Sequence, residues 1–309
     1  MSQRCKFCET ALPEGMARCV SCRCWNIPET SVNGDIEGTV LLSEAMSEEN
    51  VVKRYDVGWL NEVMGGISIE QNGYGLADCS VTLIAGPPGA GKTTLELLLC
   101  DWLVPQMRPD QEAVLVATEQ KANEIGLFAK RIGIKNASRI RIVKAMGGLK
   151  TDLADLLVSR KPGLFIVDSM TKLCGEDLEQ QVKFAEIIKE YASGEAVAGL
   201  SFPAWLINQI TKAEDHAGLK KLQHAVDVLA MLDKDDTDGE RFFYTTKNRF
   251  GESPADITLL MEPKDEQTAR ERGVLWTGRP GRLYPKPKAQ TEETEDTEEE
   301  DEEEEDDDE

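Results

Sequence analysis

The residues with the clearest chemical purpose are glycines, a lysine and two threonines that follow a strand-like apolar run. Residues 81–85 are mostly apolar, the pattern G-x-x-x-x-G-K-T follows, and a helix-forming stretch comes next. Glycines let the backbone wrap around a polyphosphate with its N–H groups inward, and the new helix adds its positive N-terminal end. The pattern predicts a phosphate-binding loop made of Gly86, Pro87, Pro88, Gly89, Ala90, Gly91, Lys92, Thr93 and Thr94.

Two side chains of this loop are expected to bind specific groups of the nucleotide complex, and a carboxylate on another strand is expected to join them. Lys92 reaches the β- and γ-phosphates in such loops, and the Thr93 hydroxyl ligates Mg²⁺. Residues 164–167 form a continuous apolar run, typical of a parallel strand buried on both faces, and the run ends in Asp168. A carboxylate at that position holds Mg²⁺ through its water shell. The predicted ligands are therefore ATP and Mg²⁺.

A further carboxylate follows a second apolar run. Residues 113–118 are strand-like and lead into Glu119. Open α/β sheets bind ligands beyond the carboxyl ends of their strands. Glu119 is therefore our candidate for orienting and deprotonating the attacking water. The alternative is an ordinary solvated glutamate, because carboxylates are common at surface strand ends.

The N-terminal cysteines have the spacing of a metal site. Cys5 and Cys8 form one C-x₂-C pair, and Cys19 and Cys22 form a second. Four thiolates at this spacing suit a closed, structural Zn²⁺ site, whose metal would supply the folding free energy of so small a segment. The alternative is a pair of disulfides, which a reducing compartment disfavours. Cys24 is a fifth thiol that could replace Cys22 as a ligand.

Length and composition bound the remaining possibilities. With 309 residues and 40% hydrophobic content, the chain can hold one large domain and a small module. Of the 19 residues in 291–309, 16 are acidic and none is basic, which accounts for most of the net charge of −22. We expect that tail to be disordered, as a solubilising arm, a partner-binding arm or a nucleic-acid mimic. No long apolar span or N-terminal signal is visible, so we expect a cytoplasmic protein without a membrane partner.

The order of motifs resembles the bacterial RadA (Sms) family of RecA-like recombination and repair motors, over about residues 5–262. The zinc module ends in Trp25 and Asn26 as in that family, and residues 54–67 are similar to its entry into the ATPase core. The most specific match is the pentapeptide Lys247-Asn248-Arg249-Phe250-Gly251. The family normally continues into a Lon-protease-like C-terminal domain, where this sequence runs into the acidic tail.

The resemblance implies a fold and a domain organisation. We expect an α/β RecA-like P-loop NTPase core with a mostly parallel central sheet, preceded by a small zinc ribbon or knuckle and followed by the acidic tail. The expected ranges are 1–27 for the zinc-binding module, 28–50 for a linker, 51–284 for the ATPase domain and 285–309 for the disordered tail.

The resemblance also implies a function and further site residues. The chain is expected to be a DNA-stimulated ATPase of recombination and repair, forming a homo-oligomer, expected as a hexameric ring, on single-stranded or branched DNA, with recombinase or replisome proteins as candidate partners. Gln209, where the nearer family tends to carry histidine, would sense the γ-phosphate. Lys247 and Arg249 would follow a strand at 241–246 and reach a neighbouring subunit's nucleotide, as an arginine finger does; otherwise they are solvated surface charges.

Several alternatives stay open. The main one is a non-motor switch that binds ATP, assembles and recruits partners through its zinc module or acidic tail. A KaiC-like or DnaB-like ATPase with another task is disfavoured by the zinc module and the pentapeptide. DNA-facing loops are expected in residues 171–203 and 210–222, where Lys212, Lys220 and Lys221 could neutralise phosphates.

Overall fold

The chain divides into two compact units, Met1–Val51 and Val52–Glu309. The computed structural model describes residues 4, 8–11, 21–22, 53–65, 74–145, 148, 152–209, 216–235 and 240–287. In the first unit, Arg4 and Ala11 form an antiparallel bridge. The linker expected at 28–50 and the acidic tail at 291–309 lie outside the described residues. None of the helices within these ranges is both long and apolar enough to cross a bilayer.

A nine-stranded sheet organises the second unit. Its strand order is β11-β10-β9-β8-β3-β7-β6-β4-β5, and a separate antiparallel pair is formed by β1 and β2. The six strands from β8 to β5 are parallel, whereas β9, β10 and β11 are antiparallel additions. The strands are β1 Arg54–Tyr55, β2 Leu76–Ala77, β3 Val81–Gly86, β4 Ala113–Ala117, β5 Ile140–Lys144, β6 Leu164–Asp168, β7 Ala204–Gln209, β8 Val228–Lys234, β9 Arg241–Asn248, β10 Ala255–Met261 and β11 Leu283–Pro285.

Helices cover both faces of this sheet. Residues of α2 and α3 pack on one face, and residues of α4 to α7 pack on the other. Because both faces are covered, the central parallel strands are mostly apolar and form nearly continuous hydrophobic runs, whereas the edge strand β5 carries Arg141 and Lys144. The helices are α1 Asn61–Met64, α2 Lys92–Leu103, α3 Ala122–Ile132, α4 Leu153–Arg160, α5 Met170–Cys174, α6 Leu178–Ala192, α7 His216–Ala225 and α8 Glu266–Arg272.

The predicted fold class is confirmed, with two local differences. The central sheet is mostly parallel, as expected for a RecA-like core. Strand β9 runs to Asn248, two residues beyond the predicted end, because its ladder with β8 continues past a bulge to pair Val228 with Asn248. Lys247 therefore lies within the strand. Much of the segment 171–203, expected to be a DNA-facing loop, consists of helices α5 and α6.

The pentapeptide also anchors the beginning of the second unit. Asn248 Nδ2 donates a hydrogen bond to the carbonyl oxygen of Val63 (3.4 Å), and the Phe250 carbonyl accepts one from Arg54 Nη2 (2.8 Å). A Cβ added to Gly251 would lie 1.8 Å from the carbonyl oxygen of Gly65, so only glycine fits there without movement. Part of the motif's sequence requirement is therefore structural.

Candidate functional site

The phosphate-binding loop and the strand-end residues Glu119, Asp168 and Gln209 lie in one cleft. Strands β3, β7, β6 and β4 are consecutive and parallel in the sheet, so their carboxyl ends lie along one edge. A cavity of about 420 Å³ opens there. Its lining includes Pro88, Gly89, Gly91, Lys92, Thr93, Thr94, Glu119, Asp168 and Gln209, all of which the sequence singled out.

Two glycines of the loop are required by close approaches. A Cβ on Gly86 would lie 2.1 Å from the carbonyl oxygen of Leu232 in the neighbouring strand β8. Gly91 has φ +109°, and its added Cβ would also meet Met261 at 3.1 Å. Side chains larger than hydrogen would push the loop away from the sheet or force it into a strained conformation. The glycines thus set the loop's position as well as its curvature.

Lys92 is directed into the loop. Its Nζ donates hydrogen bonds to the carbonyl oxygens of Gly86 (2.8 Å) and Pro87 (2.9 Å), and its side chain is buried. Burial lowers the pKa of Lys92, while the charges of Asp168, Glu96 and Glu119 oppose that shift. These contacts hold a cation at the base of the loop, where a polyphosphate needs one.

The predicted Mg²⁺ ligands are adjacent. Thr93 Oγ1 donates to Asp168 Oδ2 at 3.4 Å. Burial, followed by the nearby charge of Glu119, raises the pKa of Asp168 to about 6. Hydroxyl and carboxylate oxygens are the donors that Mg²⁺ prefers, and a divalent cation would relieve the repulsion between the two carboxylates. The donor set therefore fits Mg²⁺.

Glu119 and Gln209 contact each other across the cleft. Gln209 Nε2 donates to both carboxylate oxygens of Glu119, at 3.1 and 3.2 Å, and Ser169 Oγ donates to Oε1 at 3.3 Å. The strand ends are joined by Thr118, whose N and Oγ1 donate to the Asp168 carbonyl at 2.8 and 2.9 Å. The carboxylate that we assign to the attacking water is thus oriented by an amide and a hydroxyl.

Glu96 is a buried residue of this region that no sequence motif indicated. Glu96 lies one turn beyond Lys92 in α2 and is completely buried, and neither carboxylate oxygen has a hydrogen-bond partner among the described residues. Burial, and then the charge of Asp168, raise the pKa of Glu96 well above its usual value. A glutamate among the leucines of this helix was a visible signal, but its burial required the tertiary structure.

The far wall of the cleft was also not predicted. It is lined by Phe128 and Arg131 of α3, with the Arg131 guanidinium 4.6 Å from the Phe128 ring centroid, and by Met261 and Gly281. The loop carrying Gly281 is held by buried Glu262, whose carboxylate accepts hydrogen bonds from the backbone N–H groups of residues 277 and 279 and from the hydroxyl of residue 277. No phosphate-loop motif covers this segment, so no local sequence pattern indicated it.

Lys247 and Arg249 lie away from this cleft. Lys247 pairs with Leu229 of β8, which pairs with Leu83 in β3, and the Arg249 N–H donates to the carbonyl of Asp227, next to Val81 at the start of β3. At about 3.3 Å per residue, the phosphate-binding loop begins at Gly86, roughly 10 Å along the strand from the level of Lys247 and roughly 17 Å from the level of Arg249. The structure therefore does not bring these cations to the chain's own nucleotide site.

The two cations have different surroundings. Lys247 Nζ donates to the carbonyl oxygens of Gln223 (2.5 Å) and Val226 (2.6 Å), beside the end of α7. Burial, and then the charge of Arg249, lower the pKa of Lys247. Arg249 pairs with Asp227, yet 54% of its side chain is exposed. Lys247 thus supports the local backbone, and Arg249 is the more accessible cation.

The remaining predicted site residues are only partly described. Cys8 and Cys22 lie within the described residues, but Cys5 and Cys19 lie outside them. Within the described part of the chain, no group of three or more His, Cys, Asp or Glu side chains is arranged to hold a metal ion. Of the lysines expected to face DNA, Lys212 lies outside the described residues, and residues 220 and 221 are exposed on α7.

Comparisons with known proteins give one consistent group of relatives. The DNA repair protein RadA of Aquifex aeolicus (strain VF5) is 29% identical over 287 residues, covering 88% of this chain and 60% of its own length. RadA of Chlamydia pneumoniae is 24% identical and RadA of Mycolicibacterium smegmatis 28% identical, covering 83% and 80% of this chain and 56% and 55% of their own lengths. The chain thus spans less than two thirds of each of these relatives.

Two further comparisons concern family models and folds. No protein-family model matches the chain. The solved structure of a KaiC-like protein from Pyrococcus horikoshii OT3 covers 76% of this chain and 100% of its own, with a TM-score of 0.52 and 14% identity. At that identity, the likeness supports the RecA-like fold alone.

Proposed function

Because the chain belongs to the RadA family of bacterial DNA repair proteins, we propose that it is a Mg²⁺-dependent ATP hydrolase of the RecA superfamily that acts on DNA. One observation carries the proposal. A phosphate-binding loop, a Mg²⁺-type hydroxyl–carboxylate pair and an oriented glutamate converge on a single cleft at the carboxyl edge of a parallel sheet. Phosphoryl transfer depends mostly on such positioning and on electrostatic stabilisation.

The residues of the cleft divide the chemistry among them. The backbone N–H groups of the loop and Lys92 bind the β- and γ-phosphates, and Thr93 with Asp168 would hold Mg²⁺, which neutralises charge on the phosphate oxygens. Glu119 accepts a proton from the attacking water as the oxygen–phosphorus bond to ADP breaks. Gln209, which donates to Glu119, responds to the γ-phosphate because its amide lies beside that carboxylate.

Two substitutions test the hydrolase proposal because they remove different steps. We expect Lys92→Ala to lose nucleotide affinity and turnover together. Glu119→Gln should bind ATP normally but hydrolyse it at least about tenfold more slowly, the scale of losing a general base. Exposed Glu190→Gln is the matched control and should retain the parental rate. Parental turnover in Glu119→Gln would contradict the assignment of this glutamate.

The finer proposal is a ring-forming motor on single-stranded or branched DNA, with branch-migration or helicase-like activity. It draws on the RadA relatives and on the RecA-like fold, which many motors share. The competing proposal is a switch that binds ATP and recruits partners without moving on DNA. ATP turnover measured with and without each DNA form separates them, because a motor should be stimulated and a switch should not.

We propose that Arg249 acts on the nucleotide of a neighbouring subunit, with Lys247 supporting the same strand end. The distance from the chain's own loop and the exposure of Arg249 favour action in trans. Arg249→Ala should bind ATP but lose turnover. Mixing Arg249→Ala with Lys92→Ala should recover part of the activity, because some interfaces in the mixed assemblies place a native Lys92 opposite a native Arg249. No recovery at any ratio, with co-assembly demonstrated, would contradict action in trans.

The zinc module and the domain ranges 1–27, 28–50, 51–284 and 285–309 remain proposals from the sequence. They rest on the two C-x₂-C pairs and on the change of composition along the chain. Elemental analysis should find one Zn²⁺ per chain, and the double substitution Cys5→Ser with Cys8→Ser should remove it. Unchanged zinc content in the double variant would contradict the site.

A further inference from the structure

The strand-end cluster, formed by Asp227, Lys189, Lys247 and Arg249, has a buried carboxylate at its centre. Asp227 is 3% exposed. Its backbone N–H donates to the Val81 carbonyl oxygen (2.9 Å), and its Oδ2 accepts from the Val81 N–H (3.1 Å). Asp227 is therefore held against the first residue of β3, the strand that ends in the phosphate-binding loop.

Two cations share the other oxygen of this carboxylate. Asp227 Oδ1 accepts hydrogen bonds from Lys189 Nζ and from Arg249 Nη1, the latter at 3.2 Å. Lys189 comes from α6, and its side chain is 31% exposed, against 54% for Arg249. The Arg249 backbone N–H also donates to the Asp227 carbonyl oxygen (3.2 Å), so its main chain is anchored while its guanidinium is accessible.

The sharing of Asp227 has an energetic consequence. A buried carboxylate that loses its only cation is strongly destabilised, because its desolvation is no longer compensated. With Lys189 and the Val81 N–H in place, Asp227 stays compensated when Arg249 leaves. The three cations also outnumber the single carboxylate, and their mutual repulsion weakens the hold of Asp227 on Arg249.

We propose that Lys189 is a positioning residue that keeps Asp227 compensated, so that the guanidinium of Arg249 can leave Asp227 and reach a neighbouring subunit's triphosphate. The inference rests on the proposed function, in which Arg249 acts in trans. It adds a residue that no sequence motif marks. Without the Lys189 charge, Arg249 would be the one cation among the described residues that still contacts the Asp227 carboxylate, and it would stay there.

Removing the Lys189 charge while keeping its apolar stem tests the proposal. We expect Lys189→Met to lower kcat for ATP about tenfold, corresponding to roughly 1.4 kcal/mol, with KM for ATP unchanged. Lys189→Arg should retain the parental kcat, because it restores the charge. Lys183→Met, an exposed lysine on the same helix, is the matched control and should not change turnover. If Lys189→Met does not accumulate as folded protein, Lys189→Gln, which keeps a hydrogen-bond donor for Asp227, replaces it with the same expectation.

Combining the variant with Arg249→Ala separates positioning from a purely structural role. In the Arg249→Ala background, Lys189→Met should cause no further loss of turnover, because it acts through that arginine. A parental kcat in Lys189→Met, when Arg249→Ala alone is inactive, would overturn this inference and leave the proposed function intact. Parental turnover in Arg249→Ala would instead overturn action in trans, and this inference with it.

Discussion

Replacing Glu96 with leucine should stabilise this protein, because the native carboxyl group is buried without a hydrogen-bond partner among the described residues. Both carboxylate oxygens are inaccessible, and the neighbouring residues Leu95 and Leu97 are also buried. A buried polar group without a partner costs about 1–3 kcal/mol. Leucine has a similar volume and no polar atoms, so we expect the free energy of unfolding to rise by about that amount.

The gain should depend on pH. The pKa of Glu96 is raised in the folded state, whereas the unfolded chain titrates at its ordinary value near 4.5. The stability that comes from the bound proton is full below that value and is lost as pH rises toward the raised folded pKa. The native protein therefore loses stability between pH 5 and pH 8 in a way that Glu96→Leu does not. The advantage of leucine should be larger at pH 8.

Thermal unfolding of nucleotide-free protein at pH 5 and pH 8 measures both effects. A gain of 1–3 kcal/mol corresponds to a rise in Tm of roughly 2–10 °C for a domain of this size. Glu96→Gln should remove the part of the pH dependence that comes from Glu96 while leaving an unpaired amide. Exposed Glu190→Leu should change stability by less than about 0.5 kcal/mol. A lower Tm for Glu96→Leu at pH 8 would contradict this prediction, because it would require a stabilising partner for the carboxylate.

The structure makes two further predictions. In a denaturant titration, Gly251→Ala should destabilise the protein by about 1–3 kcal/mol, because the new methyl group would meet the Gly65 carbonyl oxygen. Gly126→Ala, in open space on α3, should instead stabilise it by about 0.5–1 kcal/mol. Glu262→Ala should lower stability by about 2–4 kcal/mol, because the loop carrying Gly281 loses the carboxylate that accepts its hydrogen bonds. It should also raise KM for ATP several-fold. An unchanged KM would show that this loop does not shape the cleft.

Local chemistry explains why the nucleotide cleft could be predicted. The apolar runs before Gly86, Glu119 and Asp168 are recognisable because a parallel strand buried on both faces must be apolar throughout. Each run leads into a residue whose type suits phosphate, Mg²⁺ or the attacking water. Since parallel strands align their carboxyl ends, these residues had to meet at one edge. Their meeting there in the structure follows from that rule.

The pentapeptide shows where this reasoning stops. Its sequence predicted two cations just beyond a strand ending at residue 246. The ladder between β8 and β9 instead carries the strand through Lys247, whose ammonium donates to carbonyl oxygens near α7. Arg249 is accessible but paired with Asp227. Neither contact is local in sequence, and both depend on how a helix and a neighbouring strand pack.

The amino-acid sequence was sufficient to predict the phosphate-binding loop and the two acidic strand ends, because each is encoded by residue types at short spacing, and the order of its motifs was sufficient to predict the fold class. Which charges are buried, and which partners they share, depends on the packing of the folded chain. Glu96, Asp227 and Lys189 carry no motif, and their roles come from burial and from contacts between distant segments. Those contacts exist only after the sheet and its helices have packed, so no local pattern could specify them.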